Sequence, residues 1–137
     1  MKIIQITSNV TKYLNQMAVL LIDGFRDSGT TSWRDMKSAM EEVKESVQDD
    51  RICFLALDDK DDVLGWIGGI RQYDGHAWEL HPLVVKPEAQ RRGIGRKLVV
   101  AFEDAVGKRG GSTIYLGTDD ENYRTTVSGI DLYPNLL

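Results

Sequence analysis

The stretch Gln90-Arg91-Arg92-Gly93-Ile94-Gly95-Arg96 joins backbone that can approach an anion closely with side chains that can pair with one. Gly93 and Gly95 carry no Cβ, so their amides are accessible to a bulky oxyanion. Apolar residues at Ile94, Leu98, Phe102 and Ala105 predict a helix opening at the loop. The first N–H groups of such a helix lack partners and carry partial positive charge. Arg91, Arg92 and Arg96 add forked, permanently charged donors that match phosphate oxygens. The group that fits is a diphosphate. The residues taken alone also allow an ordinary tight turn with exposed arginines. A dinucleotide fingerprint needs a third glycine and an acidic residue ~20 positions on, and a Walker loop needs Gly-Lys-Ser/Thr. Neither pattern is present.

A second set lies just upstream, in Trp78-Glu79-Leu80-His81-Pro82-Leu83-Val84-Val85. Strand alternation puts Glu79, His81 and Leu83 on one face, with Leu80 and Val84 on the other. A carboxylate and an imidazole side by side can move a proton. An alkylammonium is charged at neutral pH and must lose a proton before it can attack anything. Glu79 is the candidate base, directly or through a water, and His81, with an unperturbed pKa near ~6.5, is its helper. Pro82 cannot donate to a ladder, so a bulge is expected there. A bulge frees amides, and that of Leu83 is the candidate donor to a carbonyl oxygen and the oxyanion it becomes. A salt-bridged strand glutamate and a hydrogen-bonded structural histidine are the competing readings.

These residues need elements to hold them. Lys2 to Ile6 alternates as a strand, and Val10, Leu14, Met17, Ala18 and Leu21 predict a helix that Gly24 ends. Ser32 and Asp35 form a capping-box-like pair before a second helix with an apolar stripe at Met36, Met40, Val43 and Val47. Arg51 to Leu57 and Val63 to Tyr73 read as a hairpin, in which Gly65, Gly68 and Gly69 predict a bulge or a close backbone approach. Ala77 to Val85 and Ser112 to Gly117 are strands on either side of the helix Ile94 to Lys108, which Gly110-Gly111 caps. A helix between two successive strands is a crossover, so these two strands run parallel. The fold class is therefore α/β (α+β), with a mixed, mostly antiparallel sheet, flanking helices and one parallel pair around the anion loop.

Composition narrows the partners. The 137 residues suit one domain, 1–137, with 42% hydrophobic and 28% charged residues. A net charge of -4 argues against general affinity for nucleic acid or anionic lipid and suits a small cation. Asp58-Asp59-Lys60-Asp61-Asp62 reads as a solvated turn, whereas Asp119 and Asp120 are candidates for a substrate rim. Trp33 and Trp78 are candidate walls of the same site or plain packing. Cys53, alone among Ile52, Phe54 and Leu55, reads as a buried thiol. No metal set is evident. The first residues do not resemble a secretory signal and no run approaches the ~20 apolar residues of a membrane span, so the cytoplasm is the expected location.

Gln90, Gly93 and Gly95 in a Q-x-x-G-x-G pattern between strand and helix resemble the pyrophosphate loop of the GCN5-related N-acetyltransferases. The segments Trp78 to Val85 and Thr113-Ile114-Tyr115-Leu116-Gly117-Thr118-Asp119-Asp120 are similar to those of the aminoglycoside 6'-N-acetyltransferases within that family. The resemblance implies acetyl-coenzyme A as cosubstrate, bound by Leu83, Val84, Val85 and the loop Gln90 to Arg96, with Val85 pairing to the pantetheine arm as if it were an added strand. It supports Glu79, His81 and Leu83 as the catalytic set and Glu79, Asp119, Asp120 and Trp33 as contacts to a polycationic amine, with antibiotic resistance as the outcome. The alternative is a non-catalytic coenzyme A binding or assembly module. Relative to the family pattern the chain is expected to stop short of a last helix and strand pair, and with them of the tyrosine that serves as general acid. An exposed edge at the Thr113 strand is then expected to favour a homodimer.

Overall fold

The computed structural model describes residues 1–25 and 35–116 of the chain. Strands β1 (Lys2–Gln5), β2 (Ile52–Leu57), β3 (Val63–Gln72), β4 (Ala77–Val85) and β5 (Thr113–Leu116) form one sheet in that spatial order. The first three pairings are antiparallel and β4 with β5 is parallel. Helices α1 (Leu14–Phe25), α2 (Met36–Ser46) and α3 (Ile94–Lys108) flank the sheet, and α3 makes the crossover between the parallel strands. The mixed α/β architecture expected from the sequence is the one observed.

Alternation on β2 shows how the sheet divides the interior. Cys53, Leu55 and Leu57 join a core with Met17, Leu21 and Val43 of α1 and α2, while Ile52 and Ala56 join a second core with Leu98, Phe102 and Val106 of α3. Cys53 is fully buried, and loss of solvent pushes its thiol pKa strongly up, so it is an inert packing residue as expected. The β2–β3 turn is closed by Asp58, whose Oδ1 accepts from the amides of Lys60 at 2.8 Å and Asp62 at 2.9 Å. Asp61 in the same turn accepts from the Tyr13 hydroxyl at 2.9 Å and pairs with Lys12, tying the approach to α1 to the hairpin.

Four local expectations are corrected. Helix α1 begins at Leu14, because the chain before it is taken up by turns closed from Val10 N to Thr7 O and Leu14 N to Thr11 O. Gly24 does not end α1 but lies within it, where a Cβ would run into the Val84 side chain. Asp35 itself is the N-cap of α2, accepting from Ser38 N at 2.8 Å, and Ser32 lies outside the described residues. The buried stripe of α2 is Ala39, Val43 and Ser46, and Met36 is exposed. At the far end of α3 the expected glycine cap holds: Gly110 has φ +83 and Gly111 N bonds back to Val106 O at 2.9 Å.

The bulge predicted from Pro82 is present and changes the phase of β4. Ile67 pairs with Leu83 and Gly69 with Leu80, so the single residue Gly68 faces two, His81 and Pro82, which are joined by a cis peptide bond. A Cβ on Gly68 would lie 2.9 Å from the His81 carbonyl oxygen, which explains the glycine. The extra residue shifts alternation by one. Trp78, Leu80, Leu83 and Val85 all join the α3 core, and Val84 joins the α1/α2 core. Leu83 is thus not on the face of Glu79 and His81, and Leu80 and Val84 lie on opposite faces, because strict period-two counting fails across a bulge.

Candidate active site

β5 pairs with β4 only over the four positions from Ala77 with Thr113 to Leu80 with Leu116. β3, by contrast, stays paired with β4 through Leu83, Val84 and Val85. From His81 to Val85, therefore, the side of β4 turned away from β3 has no strand among the described residues. The bulge marks the point where the two strands part, and the backbone beyond it is available to an extended ligand arm.

The chain then reaches the anion loop through a short 3-10 turn at Pro87–Ala89. Gln90 donates from Nε2 to the Val85 carbonyl at 3.2 Å, which staples the loop to the strand end. Arg92 donates to the Glu88 carbonyl at 3.2 Å. Arg91 and Gly93 both take left-handed backbone, at φ +68 and +80. That conformation is uncommon for arginine, and such departures concentrate at ligand sites. Gly93 is the N-cap of α3, with no side-chain hydrogen bond to cap the helix and nothing within 4 Å of where a Cβ would sit. Among the described residues the first turn of a 15-residue helix is thus uncovered, with Arg91, Arg92 and Arg96 exposed around it, while Ile94 and Gly95 are buried. These features fit a diphosphate: uncapped amides, a concave turn and three guanidinium groups.

On the α1/α2 face, β4 carries Glu79 and His81. Glu79 is half-buried, between Ile70 of β3 and Tyr115 of β5 in the ladder. His81 Nε2 lies 3.2 Å from Oε1 of Glu42 on α2. Oε2 of Glu42 accepts from the Ser46 hydroxyl at 3.3 Å and lies 3.8 Å from Arg51 Nη2, and Arg51 Nε in turn donates to the Gly69 carbonyl at 2.8 Å. Burial acts to raise the Glu42 pKa, but the His81 hydrogen bond, the His81 and Arg51 charges and Ser46 outweigh it, so the carboxyl sits below its ordinary value. Sequence reasoning missed Glu42, Ser46 and Arg51. The available signal was that Glu42 stands three residues after Ala39 and four before Ser46, on the buried side of α2.

Trp78 is packing rather than a wall: it is 1% exposed on the α3 face, with the Arg109 guanidinium 5.5 Å from its ring centre. Trp33, Asp119 and Asp120 lie outside the described residues. A hollow of about 230 Å³ between the end of α3 and the start of β5, lined by Glu103, Gly107 and Thr113 among others, contains none of the candidate residues.

Residues 14–133 match the Acetyltransferase (GNAT) family. The chain belongs to that family. It is 32% identical over 114 residues to the mycothiol acetyltransferase of Renibacterium salmoninarum, covering 80% of this chain and 32% of that one. An aminoglycoside 6'-N-acetyltransferase solved with coenzyme A and the aminoglycoside 6'-N-acetyltransferase of Enterococcus faecium are 38% and 41% identical to it. Each superposes with a TM-score of 0.73 over 86% of this chain and 62% of its own. The chain thus spans about a third of the first relative and under two thirds of these two structures. Acetyltransferases of the family use acetyl-coenzyme A, and strands β4 and β5 and the loop before α3 lie within the matched residues.

Proposed function

We propose that the chain transfers an acetyl group from acetyl-coenzyme A to a primary amine of a polycation, the 6'-amine of an aminoglycoside. The observation that carries the reading is the continuity of a β4 edge left unpaired by the described strands with a helix N-terminus that has no side-chain cap. A pantetheine arm fits the first and a diphosphate the second. The likeness to structures described as aminoglycoside 6'-N-acetyltransferases, at 38% and 41% identity, supports the choice of acceptor.

In this reading Val84 and Val85 offer backbone to the arm, and Arg91, Arg92, Arg96 and the amides from Gly93 to Gly95 hold the diphosphate, with Gln90 fixing the loop. The cosubstrate supplies a thioester-activated acetyl group. The Leu83 amide receives the negative charge that grows on the carbonyl oxygen as the amine attacks. Glu79 takes the ammonium proton beforehand, directly or through a water, and His81 assists from the same face. Attack is direct, with no acyl group resting on the protein: the N–C bond forms, the C–S bond breaks, and coenzyme A leaves as its thiolate, which the proton shed by the acylated nitrogen neutralises by way of solvent. Glu79 and the acidic balance of the chain, with Asp119, Asp120 and Trp33 as further contacts, draw a polycation to the site. The setting is the cytoplasm and the outcome is antibiotic resistance.

The test is a thiol-release assay with acetyl-coenzyme A and a kanamycin-like amine. Release that requires the amine, with 6'-acetylated product by mass spectrometry, is expected. Coenzyme A binding with no amine-dependent release would show a binding module instead.

A further inference from the structure

We propose that Glu42 is a positioning residue for this site: its carboxylate grips the His81 imidazole through Nε2 and sets the ring's orientation and tautomer on the face of β4 that carries Glu79. The inference rests on the proposed acetyl transfer for its kinetic consequence only.

Both oxygens of Glu42 are committed. Oε1 is 3.2 Å from His81 Nε2, and Oε2 is engaged by Ser46 and approached by Arg51. The fully buried Ser46 hydroxyl lies one turn along α2, 2.8 Å from the Glu42 carbonyl, and shares its one proton between that carbonyl and Oε2. Arg51 is fixed in turn through the Gly69 carbonyl on β3. The Glu42 and His81 side chains are only 14% and 16% exposed, so solvent competes little for the contact. A carboxylate held ionised is an acceptor only. The bond therefore requires a proton on Nε2, in the neutral ring and in the imidazolium alike. Glu42 then faces the positive charge that proton uptake by the ring creates. The bulge makes this support necessary. It sets His81 at the point where the strands part, and α2 supplies the rigidity that β5 does not.

The chain has 2 histidines, so His76→Gln leaves His81 as its one imidazole, and long-range 1H–15N spectra of the 15N-histidine-labelled full chain then read its tautomer directly. With Glu42 present, at a pH where the ring is neutral, we expect the Nε2–H form. Glu42→Ala should mix the tautomers. Glu42→Gln, which keeps the side-chain volume and guards against misfolding of the alanine variant, should also bring in the second tautomer, since an amide donates as well as accepts. In amine-dependent thiol release Glu42→Ala should lower kcat about 10-fold or more while the coenzyme A Kd stays within about twofold. The wild-type imidazole spectrum in both variants, or an altered spectrum with kcat unchanged, overturns the proposal. Should the wild-type chain turn over no amine, the proposed acceptor chemistry fails while the spectra still decide whether Glu42 sets the ring.

Discussion

Within its nine residues β4 passes through two environments. From Ala77 to Leu80 it lies between β3 and β5, with Trp78 and Leu80 fully packed against α3. From His81 to Val85 it keeps β3 alone among the described strands. The α3 face of the first half behaves as interior, where removing atoms from Trp78 or Leu80 costs stability, while Glu79 on its other face is the proposed base. In the proposed reading the second half gives up ladder hydrogen bonds for recognition, and the bulge at Pro82 breaks the ladder where a ligand arm would take the place of a strand. The division also separates the faces, since the α3 side stays apolar throughout while the α1/α2 side carries Glu79, His81 and their support from α2.

The largest effect that would sharpen this contrast is chemical. Glu79→Ala should lower kcat by ~10²–10⁴-fold in the thiol-release assay. The coenzyme A Kd, measured by calorimetry, should stay put, since Glu79 is away from the anion loop. An equal loss of binding would erase the distinction between the two sets of residues.

Phe102→Ala tests the packed half. The ring lies against Gly69, opposite Leu80, and is fully buried. Urea unfolding should show a loss of roughly 3–5 kcal/mol. A change under about 1 kcal/mol would mean that α3 is not locked onto the sheet as described.

Gly93→Asp isolates the loop. No described atom lies within 4 Å of the new Cβ, so stability in urea should drop only by the cost of left-handed backbone, about 1 kcal/mol, an amount the Kd comparison is corrected for. A carboxylate facing a diphosphate should nevertheless weaken coenzyme A binding ~10–100-fold, or roughly 1.4–2.8 kcal/mol.

The smallest effect is one of pH. The Glu42 pKa is lower in the fold than in the unfolded chain, so the unfolded chain binds protons first on acidification. This contribution to stability is complete above the ordinary carboxylate pKa and is lost as pH falls through the lower, folded value. Glu42→Gln should therefore flatten the stability profile in the acid range, as read from thermal unfolding in a buffer series. An acid limb as steep as that of the wild type would contradict the ionised pair.

Much of this was legible in the residues. The strand-helix-strand order, the parallel pair, the bulge at Pro82 and the loop from Gln90 to Arg96 follow from alternation, from the missing N–H of proline and from glycine at a helix mouth. The phase of Leu83 was not, because period-two counting cannot pass through a bulge whose effect on register depends on the neighbouring strand. Gly24 signals a helix end by type, and its real cause, the closeness of Val84, is a tertiary contact. Glu42 was hidden for the same reason. A glutamate on an amphipathic helix reads as a surface residue until the sheet brings His81 and Arg51 to it.

The most direct measurement is a crystal structure of the chain with coenzyme A at saturating concentration. The diphosphate should lie on the amides that open α3, among Arg91, Arg92 and Arg96, with the pantetheine arm running along Leu83 to Val85 where β5 has left β4. Coenzyme A found elsewhere on the molecule, with that edge and that helix end unoccupied, would contradict the account.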